Sequence, residues 1–204
     1  NLAAAAIVLL LGIASYPQTV SISSNKVTYI RPKPIVDFKT TFTIDYPKVK
    51  AATPALSRRI ENVISFRSVL GLNLKEELTE IQWLEEADYE VLYNRNGILS
   101  IELRMNGTGA YPSGTSKVVV VNTKTGKKVT PAAAFRNLPG LAAFVNGSLK
   151  KEIAAAIVEI QSDPENEEPA PEHLFTDARF TVRDLDGYAV EENGVKFTYR
   201  YGFP

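Results

Sequence analysis

Hydrophobic and polar positions along the chain follow two rhythms. Residues 98–105, ILSIELRM, put Leu99, Ile101, Leu103 and Met105 on one side and Ser100, Glu102 and Arg104 on the other. A period of two predicts a half-buried antiparallel strand. ADYEVLYN (87–94) sets Tyr89, Val91 and Tyr93 on one face, and Asn96-Gly97 supplies the positive φ that a tight hairpin needs. FKTTFTIDYP (38–47) alternates Phe38, Thr40, Phe42, Ile44 and Tyr46 and predicts another strand. Residues 16–37, broken by Pro32-Lys33-Pro34, read as an extended lead-in with one edge strand. SKVVVVN (116–122) is β-branched and predicts a central strand, followed by the turn TKTGKK (123–128). ARFTVRDL (178–185), GYAVEE (187–192) and VKFTYRY (195–201), with Asn193-Gly194 as a turn, predict a closing meander.

The second rhythm is helical. Thr53 is a good N-cap, Pro54 suits the first turn, and Leu56, Ile60, Val63, Ile64 and Leu70 recur at helical spacing up to a stop at Gly71. Residues 74–86 fit a short helix or a strand start equally. Pro131 begins a helical piece, and Pro139 opens the longest helix, with Leu141, Val145, Leu149, Ile153 and Ile157 at steps of four. The expected class is α+β: antiparallel sheet hairpins with two main helices packed on one face.

Composition narrows the chemistry. The 204 residues, 45% hydrophobic, suit one domain or two small lobes sharing a core. Lys+Arg and Asp+Glu are both 23, so there is no general attraction to nucleic acid or to an anionic membrane. With no cysteine, disulfides, thiolate metal sites and a cysteine nucleophile are excluded. His173 is the sole imidazole, which excludes a multi-histidine zinc site and leaves a mixed carboxylate site. Residues 2–14, LAAAAIVLLLGIA, have the length of a signal-peptide apolar region, with Gly12 and Ala14 placed for cleavage. The run is short of the ~20 residues a membrane span needs. Residues 1–15 are therefore read as a signal peptide or anchor remnant, the alternative being a buried Ala-rich helix. The first reading implies an extracytoplasmic protein: periplasmic, secreted, or membrane-anchored through this segment.

FTIDYPKV followed by a helix, then YEVLYNRNGILSIELRMNGTGAYPSG, resembles the first half of a bacterial extracytoplasmic domain pair, the PdaC-associated domain (DUF4163). VVNTKTGKKVTPAAAF, the long helix and FTVRDLDGYAVEENGVKFTYRYGFP are similar to its second half, the RsiV-like domain (DUF3298). The second-half pattern matches Leu185, Tyr188, Val190, Gly194, Val195, Phe197 and Tyr199. The resemblance implies a lobe at 38–122 and a second at 123–204. It also implies that relatives continue into a further strand or helix beyond Pro204. Such pairs stand beside a peptidoglycan deacetylase or form the lysozyme-sensing part of an anti-sigma factor. The family turn Gly-Ala-His-Pro is here Gly109-Ala110-Tyr111-Pro112, so no role resting on that histidine carries over.

LRMNGTGAYPSGTSK (103–117) is the stretch with the most to explain. It is no phosphate loop, because no Gly-Lys-Ser/Thr follows. Residues 106–115 read as a long hairpin connection around Tyr111, which either folds onto the sheet end or serves as a binding anchor. Glu76, Glu77, Glu80, Glu85, Glu86 and Asp88 read as a solvated face, and residues 162–173 as an exposed Pro-rich acidic loop. The candidate binding residues are Asn106, Tyr111 and Pro112 of the hairpin, with Glu167, Glu168 and Glu172 of the acidic loop. No catalytic residue, metal ligand or cofactor is assigned. The expected role is a non-catalytic binding or sensor domain of the cell envelope, with lysozyme or peptidoglycan fragments as partners. The alternatives are a wall hydrolase with an undetected carboxylate pair, and a structural accessory module.

Overall fold

The computed structural model describes residues 20–163 and 170–199. The alternation at 98–105 sets the centre of the fold. There β4 (Ile98–Thr108) lies between β3 (Leu84–Arg95) and β5 (Pro112–Asn122), antiparallel to both. With β1 (Ser21–Ile30), β2 (Thr41–Lys50) and β6 (Lys127–Lys128) they form a six-stranded sheet in the order β1-β2-β3-β4-β5-β6. Every neighbouring pair is antiparallel except β2–β3, which is parallel through Thr43–Glu86 and Ile44–Ala87 alone. Parallel strands need a crossover. Here it is made of α1 (Pro54–Val63), α2 (Phe66–Leu70) and α3 (Leu74–Thr79).

Local chemistry sets these boundaries. The Thr53 hydroxyl accepts from the Leu56 amide at 3.2 Å and starts α1. The helix expected to run on to Gly71 breaks after Val63, because Ser65 caps a second helix by accepting from the Ser68 amide at 3.2 Å. Gly71, at φ 73°, ends that second helix. The strand expected over 38–47 begins at Thr41: the Lys39 amide bonds back to Val36 at 2.9 Å, a turn that leaves Phe38 outside the sheet. The ambiguous 74–86 stretch is both things in turn, α3 and then the start of β3.

The apolar side of β4 and β5 meets the crossover helices. Leu99, Ile101, Val119 and Val121 pack with Ile60 and Ile64. Leu103 and Met105 pack with Phe42, Ile44, Leu84 and Phe66. The opposite side is covered too. A hairpin of β7 (Tyr188–Glu191) and β8 (Gly194–Phe197) lies over it, with the Val190 amide donating to Ser100 Oγ at 3.1 Å and the Tyr188 hydroxyl to the Val129 carbonyl at 2.9 Å. Ser100, a polar position of a strand expected to be half-buried, is therefore fully buried.

After α4 (Pro131–Ala134), the long α5 (Leu138–Ser162) starts from an Asn137 cap and packs Ala142 and Leu149 against Phe180 and Leu185. This is the mixed α+β architecture expected from the sequence. No helix among the described residues is long and apolar enough to cross a membrane.

Two further expectations are corrected. A bulge between Val91 and Tyr93 sets Val91 opposite Ile101 and Tyr93 opposite Ser100, so Tyr93 turns to the other face from Tyr89 and Val91. Residues 178–185 form no strand. The Asp184 carboxylate accepts from the Thr181 amide and hydroxyl at 2.6 and 2.7 Å, and Asp184–Gly187 is a 3₁₀ turn. Only β7 and β8 of the predicted meander remain. The 1–15 segment lies outside the described residues.

The Tyr188 phenol is pushed up to about 12, first by burial and then by Asp186. In the unfolded chain it ionises near 10. Between these values the unfolded chain holds fewer protons than the folded one, so stability falls as pH rises through that window. Tyr46, also pushed up by burial, acts in the same direction. A Tyr188→Phe variant is expected to lose Tm less steeply above pH ~10, while its Tm at neutral pH is lower by the loss of about 1 kcal/mol for the bond to Val129. Thermal melts across pH check this, and an unchanged slope contradicts it.

Candidate functional site

β4 and β5 stay paired out to Thr108 and Pro112, so most of the connection expected at 106–115 is strand. The turn is residues 109–111, with the Gly109 amide bonded to the Tyr111 carbonyl at 3.1 Å. The glycines make room for neighbours. At Gly107 a Cβ would overlap the carbonyl and ring of Trp83. Its absence lets the Thr108 amide reach the Trp83 carbonyl at 3.0 Å and lets Trp83 Nε1 donate to Ser113 Oγ at 2.9 Å. Gly114 gives space to the side chain of Asn106, its partner across the ladder.

With the strands pinned, Tyr111 stands at the tip with 81% of its surface exposed. Of the two readings of this ring, the one folded onto the sheet end is overturned. Pro112 and Asn106 are exposed beside it.

The tip adjoins the β1–β2 connection and the approach to β3, and these carry exposed apolar side chains as well. Phe38 is 78% exposed, Ile35 64% and Ile81 54%, with Ile30 and Val36 nearby in the chain. Their backbone is tied together. The Ile35 amide donates to Gln82 Oε1, and Gln82 Nε2 to the Lys33 carbonyl, both at 2.8 Å. The Lys39 ammonium donates to the Gln82 carbonyl at 3.0 Å and to the Thr108 carbonyl. Gln82 is buried and held at φ 48°, a conformation that costs on the order of 1 kcal/mol or more in a residue with a side chain.

Beneath this lies Arg31. Its guanidinium is fully buried and donates to the carbonyls of Glu77 (3.0 Å), Lys39 (3.1 Å), Thr41 (3.1 Å) and Leu84 (2.6 Å). It stacks 4.6 Å above the Phe42 ring and lies 3.9 Å from the Glu77 carboxylate. Burial lowers its pKa, opposed by the negative charges of Glu77 and Glu85. Glu77, expected on a solvated face, is buried here because it serves Arg31 and accepts from the Leu84 amide at 2.9 Å.

Asn106, Tyr111 and Pro112 thus come together at one end. Glu172 is exposed on a separate 3₁₀ turn (Pro171–Phe175) packed by α5, and Glu167 and Glu168 lie outside the described residues. Among the described residues no three His, Asp or Glu side chains converge as metal ligands would. On the sheet, Asp88 and Glu90 are engaged by Arg104 at 2.7 and 2.9 Å. Sequence reasoning missed Phe38, Ile35 and Ile81. For Ile35 and Phe38 the available signal was an apolar run directly after Pro32-Lys33-Pro34, where a loop has no core to bury it in; Ile81 carried none.

No protein-family model matches the chain, and no curated protein matches it. Solved structures do. It is similar to a DUF3298 family member from Bacteroides fragilis with a TM-score of 0.56 and 10% identity, covering 91% of this chain and 86% of that one. It is also similar to a DUF3298 family protein from Pseudomonas aeruginosa, with a TM-score of 0.48 and 14% identity over 71% and 72% of the two chains. The first likeness is one of fold, and it supports the DUF3298 part of the expected pair at that level.

Gly107→Ala is expected to destabilise the protein by about 2 kcal/mol, because the new methyl meets a backbone carbonyl that cannot move. Gly114→Ala meets only the end of the Asn106 side chain and is expected to cost well under that. Denaturant titration of the two variants checks this, and equal losses contradict the packing role of Gly107.

Proposed function

We propose that this chain is a non-catalytic binding or sensor domain of the bacterial cell envelope, and that the end carrying Tyr111, Phe38, Ile35 and Ile81 receives a wall-acting protein of the lysozyme kind. The observation that carries this reading is the gathering of these exposed apolar side chains on a backbone fixed by Lys39, Gln82 and Arg31. Contiguous exposed apolar surface marks interaction sites. A surface already held in place loses little freedom on binding. The resemblance to the RsiV-like and PdaC-associated pair and the apolar residues 2–14 support the same setting outside the cytoplasm.

Biosensor titration of the immobilised chain with lysozyme and, separately, with soluble peptidoglycan fragments tests the reading. Lysozyme is expected to bind. Tyr111→Ala and Phe38→Ala are each expected to weaken it about tenfold or more, and Phe144→Ala on α5 is expected to leave it unchanged. Binding of the glycan alone, or an affinity indifferent to both tip variants, overturns the reading.

A further inference from the structure

The face of the sheet opposite the crossover helices holds a groove of about 560 Å³ that no role described so far uses. Ile98 lies on its floor with the buried Val120 packed alongside, Val129 and Phe135 form one wall, and the exposed Val195 with the buried Tyr188 the other. Its walls are fixed. The Val129 amide bonds to the Val120 carbonyl at 2.7 Å, and the Tyr188 hydroxyl ties the far wall back to the Val129 carbonyl. It stays open because α4 brings only Ala133 and Ala134 to the near wall, while Phe135 turns edge-on to Tyr188 at 5.2 Å.

The polar groups around the groove are mostly spent. Asn122 Oδ1 accepts the Lys124 and Thr125 amides at 3.0 and 3.1 Å, and the Lys128 ammonium pairs with Asp186 at 3.1 Å. Lys127 differs. It sits opposite Asn122 in the β5–β6 ladder, so it shares the face of Val120 and lines the groove. No carboxylate among the described residues lies within ion-pair distance of it. A fixed apolar trough with one uncommitted cation at its mouth is complementary to a molecule with an apolar body and a single anionic end.

We propose that this groove is a binding site for a medium-chain aliphatic carboxylate, its chain lying on Ile98, Phe135 and Val195 and its carboxylate meeting the Lys127 ammonium.

Calorimetric titration of the full chain with sodium decanoate, and with decyltrimethylammonium as the same tail bearing the opposite charge, both below their micelle concentrations, tests this. Decanoate is expected to bind saturably at one site and the cationic amphiphile more weakly. Lys127→Ala is expected to weaken decanoate about three- to fivefold and to leave the cationic amphiphile no weaker than before. Ala133→Phe, at an exposed position, fills the near wall and is expected to abolish binding with the Tm unchanged. Val195→Trp does the same from the far wall if the first variant folds poorly. Absence of saturable decanoate binding, equal affinity for the two amphiphiles, or binding untouched by a folded filling variant overturns the proposal.

Discussion

The buried guanidinium of Arg31 is the interaction on which the rest of the molecule depends. The β1–β2 ribbon joins the main sheet through a parallel ladder of only two residue pairs. Such a ladder is weak, and beside the packing of Phe42, Ile44 and Val49 into the core the ribbon has a polar attachment. Arg31, just after β1, supplies it by donating to the carbonyls of Lys39 and Thr41 across the β1–β2 turn, of Glu77 in α3 and of Leu84 at the start of β3. Its five N–H groups on a rigid fork suit it to this role, and a lysine could reach far fewer of these acceptors. Burying the charge costs several kcal/mol, offset by Glu77, the Phe42 ring and the carbonyl dipoles. Removing the donor would leave four carbonyls without it, at about 1–3 kcal/mol for each that finds no substitute. Against a typical total of about 5–15 kcal/mol, that is enough to open this end of the molecule.

What the clamp holds is also the end of the molecule that exposes the most apolar surface around the β1–β2 connection. Phe38, Ile35 and Ile81 are apolar and exposed, an arrangement that folding alone does not favour. They persist because the polar network below fixes the backbone regardless of where these side chains point. The strained Gln82 belongs to the same network: its amide joins the 33–35 backbone to the approach to β3, and its left-handed φ is maintained by those bonds. The other face of the sheet follows a different logic. There β7 is hung on Ser100 and Val129, and small residues on α4 leave the apolar trough unfilled.

The centre of the fold was legible because its cues are local and repeated. Leu99 to Met105 alternate with polar residues, Asn96-Gly97 has the backbone its turn requires, and Thr53-Pro54 starts a helix where it should. What escaped depends either on partners distant in sequence or on local side-chain and turn bonds that periodicity does not register. Nothing in residues 16–37 says that Arg31 will be buried, since arginine is ordinarily exposed and its acceptors lie up to 53 positions away. Phe38 runs in phase with Thr40 and Phe42 and so reads as strand, but the turn closed by Lys39 takes it out of the sheet. Asp184 overrides the strand pattern at 178–185 through bonds to Thr181, a local competition that periodicity does not register. Tyr111 was found in the sequence as an aromatic among glycines, although those glycines serve Trp83 and Asn106 more than the loop itself.

Native-state hydrogen exchange on an Arg31→Met variant tests the central role of this side chain most directly. The account predicts that amides of β1, of residues 31–41 and of residues 81–84 lose protection together, while those of the paired β4–β5 core keep theirs. Protection lost only next to residue 31, or lost evenly across the sheet, would contradict it.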